Sequence, residues 1–241
     1  MLTDFVSMQS AADKRDINAQ TLLGICYYAG GLFAPKDLEK SFYWLKLAAD
    51  DGSVIAQYLL ADMYEKGTCA PQNPEEAFHY MKLAADAEFS PAQIRLAFYY
   101  EHGAGVDLNL GESKHLLTSL ATSGHAHVAT YLGLKYARGF GGEADINESI
   151  KWLTIAADLG DGPACFFLAG YYDDIGEYTK AAELYDLAAQ RGDKSACLVL
   201  AVRYSKGSKG ISVNSELAEK YKQMAELCQN EAIATSPRSS E

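Results

Sequence analysis

One four-residue signature recurs along this chain at nearly constant intervals, and it limits the fold more than any other feature. Each copy opens on a small residue, at Ala19, Ala56, Ala92, Val128, Ala164 and Ala196. Four positions on comes a leucine, at Leu23, Leu60, Leu96, Leu132, Leu168 and Leu200, followed at once by Gly24, Ala61, Ala97, Gly133, Ala169 and Ala201. Eight positions from the start stands a tyrosine: Tyr27, Tyr64, Tyr100, Tyr136, Tyr172 and Tyr204. Small or apolar residues at i, i+4, i+5 and i+8 form one face of an amphipathic helix. Gly30, Gly67, Gly103, Gly139 and Gly207 then supply the residue of positive φ that ends it, whereas the fifth copy has Ile175 there and Gly176 just after.

A second helical pattern follows each first one. Its Ala-Ala pair stands at Ala48-Ala49, Ala84-Ala85, Ala156-Ala157 and Ala188-Ala189, with Leu120-Ala121 and Met224-Ala225 as substitutes. Gly52, Gly124, Gly160 and Gly192 lie three residues past the pair, where Glu88 and Cys228 depart from the pattern. Asp37, Asn73, Asn109 and Asp145 are placed to cap these helices, and Glu76, Glu112 and Glu148 stand three residues beyond their caps, a capping-box spacing. The pairs begin at positions 48, 84, 120, 156, 188 and 224, so the period is 36 residues with one interval of 32. Two helices per period of this length predict an α-solenoid. The short interval falls in the fifth copy, whose turn Asp173-Asp174-Ile175-Gly176-Glu177 predicts a local change of curvature. Phe5, Met8 and Ala11-Ala12 match Phe42, Leu45 and Ala48-Ala49, so residues 2–14 are expected to be a lone second helix capping the stack. The last helix is expected to run to about Gln229, and the polar segment Asn230 to Glu241, with Pro237, to be a disordered tail.

The composite pattern Ala-Gln-x-x-Leu-Gly/Ala-x-x-Tyr-x-x-Gly, then Lys-Ala/Ser-x-x-Trp-x-x-x-Ala-Ala-x-x-Gly, resembles the Sel-one-like repeat (SLR) family, relatives of the tetratricopeptide repeat. The resemblance covers residues 2 to about 229, with repeats beginning near residues 17, 54, 90, 126, 162 and 194. It implies an all-α fold, a right-handed α/α superhelix of about six helix hairpins with an N-terminal capping helix. It also implies a scaffold for protein–protein contact, in a family that includes degradation adaptors, bacterial signalling and virulence proteins, and immunity proteins that neutralise toxins.

Charge narrows the partners. The chain carries 21 Lys+Arg against 32 Asp+Glu, a net −11, which argues against nucleic acid and anionic membrane surfaces. A protein or peptide partner is compatible with that field, and so is a basic one. Five cysteines without a C-x-x-C suit free thiols in a reducing, cytoplasmic setting. The N-terminus lacks the pattern of a signal peptide, and no apolar run is long enough to span a membrane. A monomer or a weak dimer is expected.

Chemistry-bearing groups are sparse. Gly139-Phe140-Gly141-Gly142 follows a helix pattern instead of the strand that a phosphate loop requires. His125 and His127 could give two metal ligands but lack a third. No Ser-His-Asp or Cys-His set assembles from repeating positions, so no catalytic, cofactor or metal residue is assigned. The reading is a non-enzymatic adaptor, with an immunity or inhibitor protein occluding a basic toxin or enzyme as one alternative and a metal-dependent hydrolase as another.

The expected site is a concave groove lined by the first helices. Positions two and six after each leading residue give an apolar stripe that includes Tyr58, Ile94, Phe98, Leu134, Phe166, Leu198 and Val202. Positions nine and ten give a mixed, partly acidic rim containing Tyr28, Glu65, Glu101, His102, Arg138, Asp173 and Asp174. An apolar centre with a polar rim is the anatomy of a protein interface. The alternative is that the stripe is buried between neighbouring first helices.

Overall fold

The computed structural model describes residues 2–31 and 34–235, with side chains described for residues 5–31 and 34–228. Among the described residues the secondary structure is helical throughout. A lone helix α1 (Leu2–Asp13) precedes the hairpins α2 (Ile17–Ala29) with α3 (Leu38–Asp50), α4 (Val54–Lys66) with α5 (Pro74–Asp86), and α6 (Ser90–His102) with α7 (Leu110–Thr122). There follow α8 (Ala126–Arg138) with α9 (Ile146–Asp158), α10 (Gly162–Asp174) with α11 (Tyr178–Gln190), and α12 (Lys194–Lys206) with α13 (Ser215–Thr235). The chain separates into two compact units, residues 1–117 and 118–241.

Two backbone devices, repeated in every repeat, explain why the sequence signature yields hairpins of one kind. Within each hairpin, the residue that caps the second helix donates its N–H to the carbonyl of the signature tyrosine. The bonds are Asp37 to Tyr27 (2.9 Å), Asn73 to Tyr64 (3.1 Å), Asn109 to Tyr100 (2.8 Å), Asp145 to Tyr136 (2.9 Å), Glu177 to Tyr172 (2.9 Å) and Asn214 to Tyr204 (2.8 Å). The fifth hairpin closes the same way despite its shorter turn, so the residues it lacks come out of the loop between the signature tyrosine and the cap, and the closing bond itself is kept. Between hairpins, the N–H of the residue preceding each first helix returns to the carbonyl at the Ala-Ala position. Examples are Ser53 to Ala48 (2.8 Å), Asp161 to Ala156 (3.0 Å) and Asp193 to Ala188 (3.0 Å), the long bond of a Schellman motif. The side chains of Asp16, Ser53, Asp161 and Asp193 then cap the next helix by accepting from the N–H of its leading alanine.

The Schellman turn needs a left-handed residue. Gly52, Gly124, Gly160 and Gly192 adopt φ of 95°, 94°, 98° and 85°, but Arg15 and Glu88 stand at the equivalent places with φ of 66° and 59°. The departure at Glu88 is therefore one of residue type only, and the backbone keeps the turn. In the second helices, Asp37, Asn73 and Asp145 accept from the N–H three residues on, as the capping spacing requires.

In the first unit, Phe5, Met8 and Ala11 of α1 pack on the cluster of Ala12, Ala19, Leu23, Tyr27 and Trp44. Tyr27 meets Phe5 edge to face at 6.1 Å, Tyr64 meets Phe42 at 5.5 Å and Tyr100 meets Phe78 at 5.6 Å. These three signature tyrosines thus lean on an aromatic ring of the helix before them. In the second unit Leu132, Leu153, Leu168, Trp152, Tyr185 and Leu200 are buried alongside the alanine pairs. Small residues set the spacing inside a hairpin: a Cβ on Gly24 would lie 2.5 Å from Leu45 Cγ, and one on Gly133 2.9 Å from Leu153 Cγ. At the C-terminus α13 continues to Thr235, beyond the stop expected near Gln229. The segment 230–235 contains neither Gly nor Pro, and the first residue disfavoured in a helix is the one before Pro237. The remainder of the expected tail, 236–241, lies outside the described residues.

Candidate functional site

The residues expected to line a groove sort by position. Position two turns toward the following hairpin. Thr21 Oγ1 lies 2.8 Å from Ser53 Oγ, and Thr130 Oγ1 donates to Asp161 Oδ2 at 2.6 Å, each reaching the cap of the next first helix. Tyr58 is half-buried, edge to face with Phe89 at 5.4 Å, just before α6. Ile94 is half-buried, and Phe166 packs between Phe167 and Tyr185, at 5.6 Å from each. Leu198 is the exposed exception, at 48%. Position six faces outward at Phe98 (40%) and Val202 (52%), while Leu134 is half-buried. Of the rim residues, His102, Arg138 and Asp174 are exposed, whereas Tyr28, Glu65 and Glu101 are half-buried.

Asp173 corrects the sequence reading. The repeat spacing places it with Asp174 on the partly acidic rim, but it is buried at 7% exposure. Arg203, itself 6% exposed, donates Nη2 to Asp173 Oδ2, and its guanidinium lies over the Tyr185 ring at 4.6 Å. Lys209 Nζ donates to the same oxygen at 3.1 Å, and the Tyr185 hydroxyl donates to it at 3.4 Å. Burial pushes the Asp173 carboxyl up, but the hydrogen bonds from Arg203 and Lys209 outweigh it and hold the group below its ordinary range. Oδ1 of Asp173 and Nη1 of Arg203 are buried with no hydrogen-bond partner among the described residues.

In the first unit Glu65, Phe98 and His102 do come together, around an open cavity of about 340 Å³ lined also by Arg95, Tyr99 and Ala104. Arg95 donates Nε and Nη2 to Glu65 Oε2 at 3.2 and 2.7 Å, and the Tyr99 hydroxyl donates to the same atom at 2.7 Å. Partial burial raises the Glu65 carboxyl, yet these donors lower it further, so the net shift is downward. Burial, then the adjacent Glu65 carboxylate, push Tyr99 well above the usual tyrosine range and keep it a donor. The Phe98 and His102 rings stack 5.5 Å apart and 5° from parallel. Tyr58, Tyr28, Ile94 and Glu101 do not line this cavity.

Arg95 and Tyr99 were missed because they occupy positions three and seven. One signal was available for Arg95: the other repeats carry Leu22, Leu59, Tyr131, Phe167 and Val199 there. A common rule emerges within each unit. The carboxylate at position nine of one first helix meets position seven of the next, Glu65 with Tyr99 and Asp173 with Arg203.

The other candidates do not assemble. His125 and His127 sit 6.2 Å apart with rings crossed, and His125 Nδ1 is directed at the Leu120 carbonyl at 3.1 Å. Among the described residues no group of three or more His, Cys, Asp or Glu is arranged to hold a metal ion, and no helix is long and apolar enough to cross a membrane.

The Sel1 repeat matches the chain six times in succession, at residues 17–53, 54–89, 90–125, 126–161, 162–193 and 194–227. No curated protein matches it by sequence. Among solved structures, a Sel1 repeat protein from Oxalobacter formigenes is 27% identical over 88% of both chains, with a TM-score of 0.70. A protective antigen of uropathogenic Escherichia coli displaying an SLR fold is 26% identical with a TM-score of 0.74; the match covers 98% of this chain but 52% of that one. An immunity protein from Pseudomonas aeruginosa shares the fold at 20% identity, with a TM-score of 0.51 over 89% of this chain and 82% of that one.

Proposed function

The chain belongs to the Sel1 repeat family, whose members generally mediate protein–protein interaction and are typically non-catalytic, and on that premise we propose that it is a non-enzymatic adaptor binding a protein partner on the surface of its first helices. The carrying observation is the aromatic cavity of the first unit, where exposed Phe98 and His102 flank the Glu65 carboxylate. Leu198 and Val202, on one face of α12, add an exposed apolar patch in the second unit. Exposed apolar side chains rimmed by charge mark interaction sites. The net charge of −11 favours a basic partner, since opposite fields speed encounter, and a basic toxin or enzyme whose surface is occluded is the narrower form of this reading. Five free cysteines suit a reducing compartment, and we place the protein in the cytoplasm.

The test is capture of partners from the native host by tagged full-length protein, compared with Phe98→Asp and Val202→Asp variants that retain their helical circular dichroism. A partner held by the parent and lost in either variant supports the reading. Undiminished capture in both variants overturns it.

A further inference from the structure

We propose that the cavity bounded by Glu65, Arg95, Phe98, Tyr99 and His102 receives an arginine side chain of the partner; this rests on the first-helix surface being the binding face. The inference comes from which polar atoms are already engaged. Among the described residues three donor atoms, two from Arg95 and one from Tyr99, converge on Glu65 Oε2 and none on Oε1, so one carboxylate oxygen is left to accept. His102 Nδ1 stands 2.9 Å from the Phe98 carbonyl oxygen. A carbonyl can only accept, so Nδ1 carries the proton, and in that tautomer Nε2 is a second acceptor. Both acceptors belong to side chains lining one cavity walled by aromatic rings.

A ligand suited to these walls must donate hydrogen bonds, carry positive charge and be flat. The guanidinium group meets all three demands: it is planar, forked, weakly hydrated and stacks on aromatic faces. An ammonium group supplies the charge without the plane, and an anion would face the Glu65 carboxylate and the His102 acceptor. The cation already present is no obstacle, because Arg95 is paired to Glu65 at 2.7 Å with Asp62 at 3.9 Å, and Lys66 is paired to Asp62 at 2.7 Å. A volume of about 340 Å³ is at the small end for ligand pockets and fits one side chain better than a whole cofactor.

The test is titration of the purified full chain with the blocked tripeptide acetyl-Gly-Arg-Gly-amide, followed by NMR of the aromatic ring signals. Its citrulline counterpart, a neutral isostere, and its lysine counterpart run in parallel. The arginine peptide is expected to give saturable shifts at Phe98, Tyr99 and His102, with citrulline at least about tenfold weaker, the loss expected for one charge-assisted hydrogen bond. Glu65→Gln should weaken the arginine peptide by about tenfold too. Glu219→Gln, which alters an exposed acid paired to Lys222 in the other unit, should leave it unchanged. Because Glu65→Gln also touches Arg95 and Tyr99, His102→Phe serves as the second variant, keeping a ring in place while removing the acceptor. Equal binding of the citrulline peptide, unchanged affinity in both cavity variants, or no saturable shift at these rings overturns the assignment. If that happens while Phe98→Asp still abolishes partner capture, the binding face stands and only its guanidinium occupant is lost.

Discussion

Removing Arg203 is the most informative perturbation of stability. The Asp173 carboxylate is 5% exposed at its side chain and the Arg203 guanidinium 7%, so each depends on the other for its charge. Breaking a buried pair by deleting one partner costs about 3–5 kcal/mol, because the survivor stays buried without compensation. In Arg203→Met the survivor is Asp173, which keeps Lys209 at 3.1 Å and the Tyr185 hydroxyl at 3.4 Å. Lys209 is itself 45% exposed and offsets only part of the loss, so the expected cost is at the low end, about 3 kcal/mol. Replacing both partners, as Asp173→Leu with Arg203→Met, removes the charges and the two orphaned atoms together. It should recover most of the stability.

The measurement is urea unfolding followed by fluorescence. Trp44 and Trp152, the chain's two tryptophans, are buried one in each unit, so a Trp44→Phe background leaves Trp152 reporting on the unit that holds the pair. Since the Asp173 carboxyl lies below its unfolded value, its stabilisation is present above that value, about 3.9, and is lost as pH falls through the folded one. The gap between parent and Arg203→Met should therefore close under acid. A cost below about 1 kcal/mol at neutral pH, the range of an exposed pair, or a double variant as unstable as the sum of the singles, would refute the reasoning.

Other outcomes follow from the same structure. Glu88→Gly should stabilise by up to about 1 kcal/mol, since a left-handed conformation is unfavourable for a side-chain-bearing residue, and Gly124→Ala should destabilise by a similar amount with no clash to confuse it; both are read by urea midpoints. Gly24→Ala would drive a Cβ to 2.5 Å from Leu45 and should cost about 1–3 kcal/mol, whereas Gly170→Ala meets nothing within 4 Å and should stabilise by about 0.5–1 kcal/mol. Loss of partner capture in a more stable Gly170→Ala would show that the space above that helix is used in binding. In native thiol titration the exposed Cys69 should react first. Cys165 and Cys197 should wait for unfolding, both being buried and the latter pushed up to about 11, chiefly by burial and then by its neighbour Cys228.

The repeat itself was legible in the sequence because every device that builds it is local. Leucine and tyrosine at fixed offsets define a helix face, and Asp37, Asn73 and Asp145 cap within three residues. The bond from each cap to the signature tyrosine carbonyl spans only a turn, so it survives even where the fifth turn is short. Exposure was not legible, because helical spacing fixes a residue's angle about its own axis and leaves open what stands opposite. Thr21 and Thr130 are buried by the cap of the next hairpin, and Phe98 stays in solvent on the same kind of stripe. Asp173 and Asp174 are neighbours of identical chemistry, yet only the first meets an arginine 30 residues further along the chain. That meeting depends on how one hairpin seats on the next, and only the tertiary structure decides it.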